Sequence, residues 1–337
     1  MRLPFALAAI VVTMGLAGCA AAPRETLLAG ETMGSAWTAK VVGRLPMPES
    51  QLRDGMQARF EAVNRSLSTY RPDSALSRFN DDATGNWLVI DPELAAVMGY
   101  ALGLAARSDG AYDVTVGALV NLWGFGPDLA TRKVPDSTAI SAARARVGWR
   151  RVEVDVAAGR ARKPPGMRVD LSSLGKGRGV DRVAEYLDSV GLSNYLIDLS
   201  GKLRARGRNA RGEVWRVAVE KPGADEPSGR SNAPPAIVEL RDESIATAGD
   251  YRRFFEADGR HYSHIIDPRT GFPVTHATVS ATTLATDCMA ADAWATVFMA
   301  MAPGDALRLA EAVSMPALLI RREGGAYALS PSSRWRR

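Results

Sequence analysis

Val169-Asp170-Leu171-Ser172-Ser173-Leu174-Gly175-Lys176-Gly177 decides the fold. Val169 to Leu171 reads as the end of a strand that runs into a glycine-lysine turn. Beyond it Val180, Val183, Ala184, Leu187 and Val190 recur at helical spacing, and Gly191 marks the stop. A strand-to-helix junction of this kind is where a doubly wound α/β protein cradles phosphates. The glycine spacing, however, matches neither a Walker A loop nor a dinucleotide fingerprint. An anion remains favoured at such a junction, and a plain tight turn is the ordinary alternative.

Working outward, the flanking segments do not restore a β-α alternation. Ala36 to Val42, Trp87 to Ile90, Arg151 to Val156, Tyr195 to Leu199, Val214 to Val219, Ile237 to Leu240, Ala317 to Ile320 and Ala326 to Leu329 read as strands. Ser50 is placed to cap a helix whose Leu52, Met56, Phe60, Val63 and Leu67 share a face. Asp91-Pro92 opens another that ends before Gly110. Ser137 to Val147, Asp287 to Met301 and Asp305 to Val313 are further helices, and Pro222 to Pro235 reads as a surface loop. Strands and helices so interspersed predict an α+β fold, with mixed, largely antiparallel sheets and packed helices.

The 337 residues are 46% apolar and 23% charged, a balance that excludes wholesale disorder, collagen and a polytopic membrane protein. The net charge of +5 is spread along the chain and makes no nucleic-acid footprint. After Arg2 an uncharged run from Leu3 to Gly18 suits a signal-peptide core and is short for a membrane span. It ends in Leu16-Ala17-Gly18-Cys19, which resembles a bacterial lipobox. The expected organisation is a signal peptide over 1–18, a tether over 19–30 and one functional domain over 31–337. If Cys19 carries lipid, Cys288 is left as the single free thiol, and the core alone must hold the fold.

Several segments carry chemistry. Asp292 and Thr296 are four apart on a helix, so carboxylate and hydroxyl share a face and form a hard-oxygen pair suited to Mg²⁺. An exposed polar stripe is the ordinary alternative. In His261-Tyr262-Ser263-His264-Ile265-Ile266-Asp267-Pro268-Arg269-Thr270-Gly271, Asp267 is near enough to His264 to orient its imidazole as a general base. A turn histidine fits equally. Gly110 to Gly117 and Leu122-Trp123-Gly124-Phe125-Gly126 offer aromatic rings beside glycines, either a slot for a fused ring system or simply core. With Met33-Gly34-Ser35 goes the segment Leu67 to Ser74, whose Tyr70 is suited to stack on an aromatic ligand or, equally, to be a surface tyrosine before a turn.

In this order, from Met33 to about Ala302, these segments resemble the FAD:protein FMN transferases, the ApbE-type flavin transferases. The resemblance implies an ApbE-like architecture. It also implies transfer of FMN from FAD to a threonine or serine hydroxyl of an exported redox subunit, with AMP as leaving group and Mg²⁺ required. Residue by residue, it implies that Met33, Tyr70, Ala111, Tyr112, Asp113, Asp170, Lys176 and Ile266 contact FAD. Asp292 and Thr296 would bind the metal through their side chains. Ser173 and Ala295 would bind it through backbone or short side-chain oxygens, and His264 would be the catalytic histidine. Two positions depart from the pattern. Ser200-Gly201-Lys202 stands where Gly-Gly-Glu is common, which reverses a charge, and Ala248 stands where serine is common. No flavin-acceptor motif of the Asp-x-x-Ser/Thr-Gly-Ala-Thr type is present, so the chain reads as the transferase and not its substrate. A Mg²⁺-dependent FAD pyrophosphatase and a non-enzymatic FAD-binding lipoprotein are the rival readings. The lipobox with Ala20 after Cys19 implies a periplasm-facing protein anchored in the envelope, outer membrane over inner.

Overall fold

A computed structural model describes residues 24–127, 132–222, 234–251, 253–324 and 326–336. Along the first half run β1 (Glu25–Thr32), β2 (Ser35–Val42), α1 (Glu49–Leu67), α2 (Ala75–Asp81), β3 (Leu88–Val89), α3 (Pro92–Arg107), α4 (Gly117–Leu122), α5 (Ser137–Arg144), β4 (Glu153–Asp155) and β5 (Arg160–Arg162). Then follow α6 (Ser172–Ser189), β6 (Tyr195–Leu199), β7 (Lys202–Arg206), β8 (Trp215–Ala218), β9 (Ile237–Leu240), β10 (Ser244–Gly249), β11 (Phe254–Ala257) and β12 (Arg260–Ser263). The chain closes with β13 (Thr278–Ala285), α7 (Cys288–Ala300), α8 (Pro303–Ala312), β14 (Ala317–Glu323) and β15 (Ala326–Pro331).

Eight strands form the main sheet in the order β1-β2-β6-β7-β10-β13-β14-β15, and every pairing in it is antiparallel. The α+β expectation is therefore met, with three small antiparallel sheets beside the large one. Strand parity sorts the core into two layers. Trp37, Ala39 and Val41 of β2 and Tyr195, Ile197 and Leu199 of β6 pack with Leu52, Met56 and Phe60 of α1 and with Val180, Val183 and Leu187 of α6. In β14, Leu319 turns towards the α3 and α7 cluster, while Leu318 and Ile320 turn towards Trp215, Val238 and Leu240 of the β8–β9 hairpin.

The helix faces read from periodicity are the buried ones: Leu52, Met56, Phe60, Val63 and Leu67 are all core. Asp91 caps α3 by accepting from Leu94 N–H, with Pro92 in the first turn, and Asp287 caps α7 through Ala290 N–H. Four expectations need correcting. Residues 25–30, assigned to the tether, are the greater part of β1, held by the β2 ladder. Ser50 is not the α1 cap; the helix starts at Glu49, and its N-cap is Pro48. Val169 and Leu171 lie in no strand, since the only pairing here is an isolated bridge from Arg168 to Val116. Helix α6 begins at Ser172, so Gly175, Lys176 and Gly177 belong to its first turns and not to a loop before it. The signal peptide and Cys19, and most of the Pro222 to Pro235 loop, lie outside the described residues.

Candidate active site

Helices α6 and α7 cross where their first turns meet, and a missing side chain permits it. A Cβ on Gly177 would sit 2.4 Å from the Cys288 carbonyl oxygen. With that contact made, Gly177 N–H donates to Asp292 Oδ2 at 3.1 Å. The pair of helices is fastened by Asp181 of α6. Its Oδ1 accepts from Cys288 N–H and its Oδ2 from Met289 N–H, both at 2.8 Å, so it caps the start of α7. Asp292 is thereby carried into a buried position, 3% exposed, on the face of α7 that looks at β7.

At that face stands Lys202, the first residue of β7. Its Nζ lies 3.1 Å from Asp292 Oδ1 and also donates to the Thr247 carbonyl. Burial raises the proton affinity of the Asp292 carboxyl, and Lys202, Gly177 N–H and Lys176 all pull it back down. Thr296 Oγ1, one turn on, donates to the Asp292 carbonyl at 3.3 Å. Ala295 is fully buried in the middle of α7, where its one oxygen belongs to the helix ladder. Ser173 Oγ is 2.7 Å from Tyr112 Oη, inside hydrogen-bond distance.

These four positions, assigned to a metal by the resemblance, do not fit a resident divalent cation in this arrangement. Their only side-chain carboxylate already holds an ammonium, the Ser173 hydroxyl is tied to Tyr112, and Ala295 offers only a helix carbonyl. Among the described residues no group of three or more His, Cys, Asp or Glu side chains is placed to hold a metal ion.

His264 follows β12 in a loop packed on Phe125, the two rings edge to face at 6.3 Å. Its Nδ1 is 3.0 Å from the Arg253 carbonyl. A carbonyl can only accept, so Nδ1 carries the proton and Nε2 keeps its lone pair. Burial, helped by the charges of Arg253 and Lys202, pushes the imidazole down to about 4, so it is neutral with Nε2 unprotonated near neutral pH. Asp267, expected to orient this ring, does not. Its carboxylate is bonded to Arg269 at 2.9–3.0 Å and its main chain closes the turn to Gly271.

The expected flavin contacts divide. Met33 has a positive φ of 50° at the β1–β2 turn and packs between two core clusters. Lys176 Nζ donates to Ser35 Oγ at 2.9 Å, tying α6 to that turn. Tyr70 is exposed, and Arg253 reaches both its hydroxyl, at 3.5 Å, and the Phe125 carbonyl, at 2.9 Å. Tyr70 thus borders Phe125 and Arg253, which pack on His264, while Tyr112 reaches Ser173 of α6 and Ile266 is buried two residues after His264. Asp113 is a framework residue. Its carboxylate is taken up by Thr115 N–H and Oγ1 and by Trp149 N–H. Asp170 accepts from Ser172 N–H at 2.8 Å, and Ala111 is buried in the core. Arg253 and Thr247 were missed by sequence reasoning. Thr247 acts through its main-chain carbonyl, which leaves no signal in side-chain type, and Arg253 through both its carbonyl and its guanidinium.

A histidine whose Nε2 has no partner among the described residues, with paired cationic and anionic side chains in the same site, is the equipment of a group-transfer enzyme acting on an anionic substrate. The ApbE family model matches residues 33–319, and this chain belongs to the ApbE family. It is 40% identical over 315 residues to the FAD:protein FMN transferase of Vibrio cholerae, covering 93% of this chain and 92% of that protein. It is 38% identical to that of Klebsiella pneumoniae, covering 94% and 89%. Among solved structures, the flavin transferase ApbE from Vibrio cholerae superposes with a TM-score of 0.85 at 38% identity, over 93% of this chain and 98% of that one. The apo form of the Pseudomonas stutzeri flavinyl transferase ApbE gives 0.84 at 34% identity, over 93% and 96%.

Proposed function

We infer that this chain is a flavin transferase that moves FMN from FAD to a serine or threonine hydroxyl of a partner protein. The target hydroxyl attacks the phosphorus on the FMN side of the pyrophosphate. His264 Nε2 takes its proton, the new oxygen–phosphorus bond forms, the pyrophosphate bond breaks, and AMP leaves with the bridging oxygen. The observation that carries this reading is the His264 tautomer: Nδ1–H is held by the Arg253 carbonyl and Nε2 is left unprotonated, able to accept. Family membership and the high coverage of relatives named for this reaction support it.

Lys176 and the first turn of α6 would face the phosphates, with Tyr70 and Tyr112 near the flavin. Asp292, which the resemblance would give to magnesium, is paired with Lys202, and no step here is routed through a metal ion. The acceptor would be an exported redox subunit carrying a flavinylation motif. The Leu16-Ala17-Gly18-Cys19 sequence supports a lipid anchor that holds the enzyme at the periplasmic face of the envelope, where such a subunit works.

The test is incubation with FAD and an acceptor domain bearing the motif, followed by intact-mass analysis and in-gel fluorescence. The acceptor should gain the mass of FMN, and His264→Ala should bind FAD yet leave the acceptor unlabelled. Free FMN and AMP with no labelled acceptor would make the chain a pyrophosphatase. Intact bound FAD would make it a carrier.

A further inference from the structure

Lys202, Arg204 and Arg206 occupy alternate positions of β7, so their side chains leave the strand on one face. Each meets an aspartate of the helix layer. Lys202 pairs with Asp292 of α7, Arg204 with Asp181 of α6 at 2.7 Å, and Arg206 with Asp188 near the end of α6. Lys202 is thus the first rung of an ordered ladder and not a stray surface lysine. The turn before it is tight: Ser200 and Gly201 both have positive φ, 53° and 81°, the pattern of a two-residue hairpin turn. The Lys202 and Asp292 side chains are 12% and 4% exposed, so solvent screens their attraction little.

We propose that the Lys202 ammonium is the built-in cation of the FAD phosphate site, standing where the resemblance puts a divalent metal ion, and that this chain binds and cleaves FAD without one. The proposal rests on the transferase reading, which makes the ligand a pyrophosphate. Two of the three ammonium protons go to Asp292 and the Thr247 carbonyl, and the third is left for a phosphate oxygen. The charge of Lys202 is also felt at His264, so the ammonium lies near the base that receives the proton. Atoms balance without a metal. The hydroxyl proton goes to His264 Nε2, the FMN phosphorus exchanges one oxygen partner for another, and AMP departs with its new charge facing Lys202. A divalent ion bound to Asp292 would instead sit within a few ångströms of an ammonium in a poorly screened pocket, where the two cations repel.

Full-length protein is stripped with EDTA, and FAD binding is followed by flavin fluorescence and calorimetry, with and without Mg²⁺. Mn²⁺ alone is titrated by electron paramagnetic resonance. In the wild type, FAD affinity in EDTA should stay within about twofold of that in Mg²⁺, and Mn²⁺ should remain free. Lys202→Gln should weaken metal-free FAD binding by about tenfold to a hundredfold, the weight of one charge-assisted hydrogen bond. Lys202→Arg should keep most of it, and Lys202→Glu should acquire a Mn²⁺ site. FAD binding that collapses in EDTA, or a Mn²⁺ ion held equally by the wild type and Lys202→Gln, would overturn the proposal. Neither readout needs an acceptor. Metal-free FAD binding with cleavage or labelling that appears only on adding Mg²⁺ would overturn the proposal, whereas FAD binding with neither cleavage nor labelling in EDTA or in Mg²⁺ would sink the transferase reading and leave the binding role of Lys202 standing.

Discussion

Lowering the pH tests the assignment of His264 as base. An ordinary imidazole titrates near 6.5, whereas desolvation in the Phe125 loop and the nearby charges of Arg253 and Lys202 push this one down to about 4. Because the shift is downward, the basic form persists above about 4 and is lost only as the pH falls through that value. At pH 5.5 a group with this value is about 97% neutral, against about 9% for an unshifted histidine, so the rates on the two assumptions differ roughly tenfold. The assay is a proton NMR titration of the imidazole Cε1–H signals. The chain has only three histidines, so one spectrum of His264→Gln assigns the resonance. The acceptor-labelling rate is measured over the same range. Removing the guanidinium in Arg253→Met should raise the midpoint, since that charge lowers it, while the Arg253 carbonyl still holds Nδ1–H. Asp267→Ala should leave the midpoint in place, because Asp267 bonds to Arg269 and not to the ring. A His264 signal that titrates near 6.5, with a rate that falls tenfold between pH 7.5 and 5.5, would refute the reasoning. Stability follows the same sign. Between about pH 6.5 and 4 the unfolded chain binds a proton that folded His264 refuses, so this residue's contribution is complete above 6.5 and is lost as the pH drops through the window.

Two further expectations concern the frame that carries Asp292. Asp181→Ala removes a buried carboxylate that caps α7 and pairs with Arg204, leaving two N–H groups and a guanidinium unmet. It should cost about 3–5 kcal/mol in a urea melt, and a loss below about 1 kcal/mol would mean that the α7 start is held some other way. Gly177→Ala forces a Cβ against the Cys288 carbonyl and should cost about 1–3 kcal/mol and weaken FAD binding with it. A variant as stable as the wild type would show that the two helices part without penalty.

What was legible in the sequence was what side-chain period encodes. The apolar faces of α1 and α6 were read because a helix that buries one stripe must repeat it, and the cap at Asp91 because an aspartate before Pro92 is placed to hold the first turn. Strand β13 was not read. Seven of its eight residues are buried, and the run Thr-Val-Ser-Ala-Thr-Thr-Leu-Ala of small and hydroxylated side chains carries no alternation to see. Strand β1 was passed over for another reason. Its polarity does not follow its faces, with Leu27 exposed and Thr26 and Thr32 buried, so its structure comes from the β2 ladder and not from its own composition.

The same division runs through the site. Asp292, Thr296 and His264 were visible because their chemistry lies in residue type and spacing. The orientation of His264 was not, because it is set by a main-chain carbonyl eleven residues upstream, and every residue has a carbonyl. Gly177 was visible as a glycine and read as part of a strand-to-helix turn, whereas it lies inside α6. Its reason is the approach of α7, 111 residues further along the chain. Lys202 shows how the two kinds of information combine. In the sequence it is a reversed charge with no partner. In the sheet its parity with Arg204 and Arg206 makes it one of three cations facing three helix aspartates, and the register of β7 on β10, Lys202 opposite Ala246, aims it at α7. A substitution that looks like the loss of an acid thus becomes the gain of a cation, which a sequence comparison at that one position could not have shown.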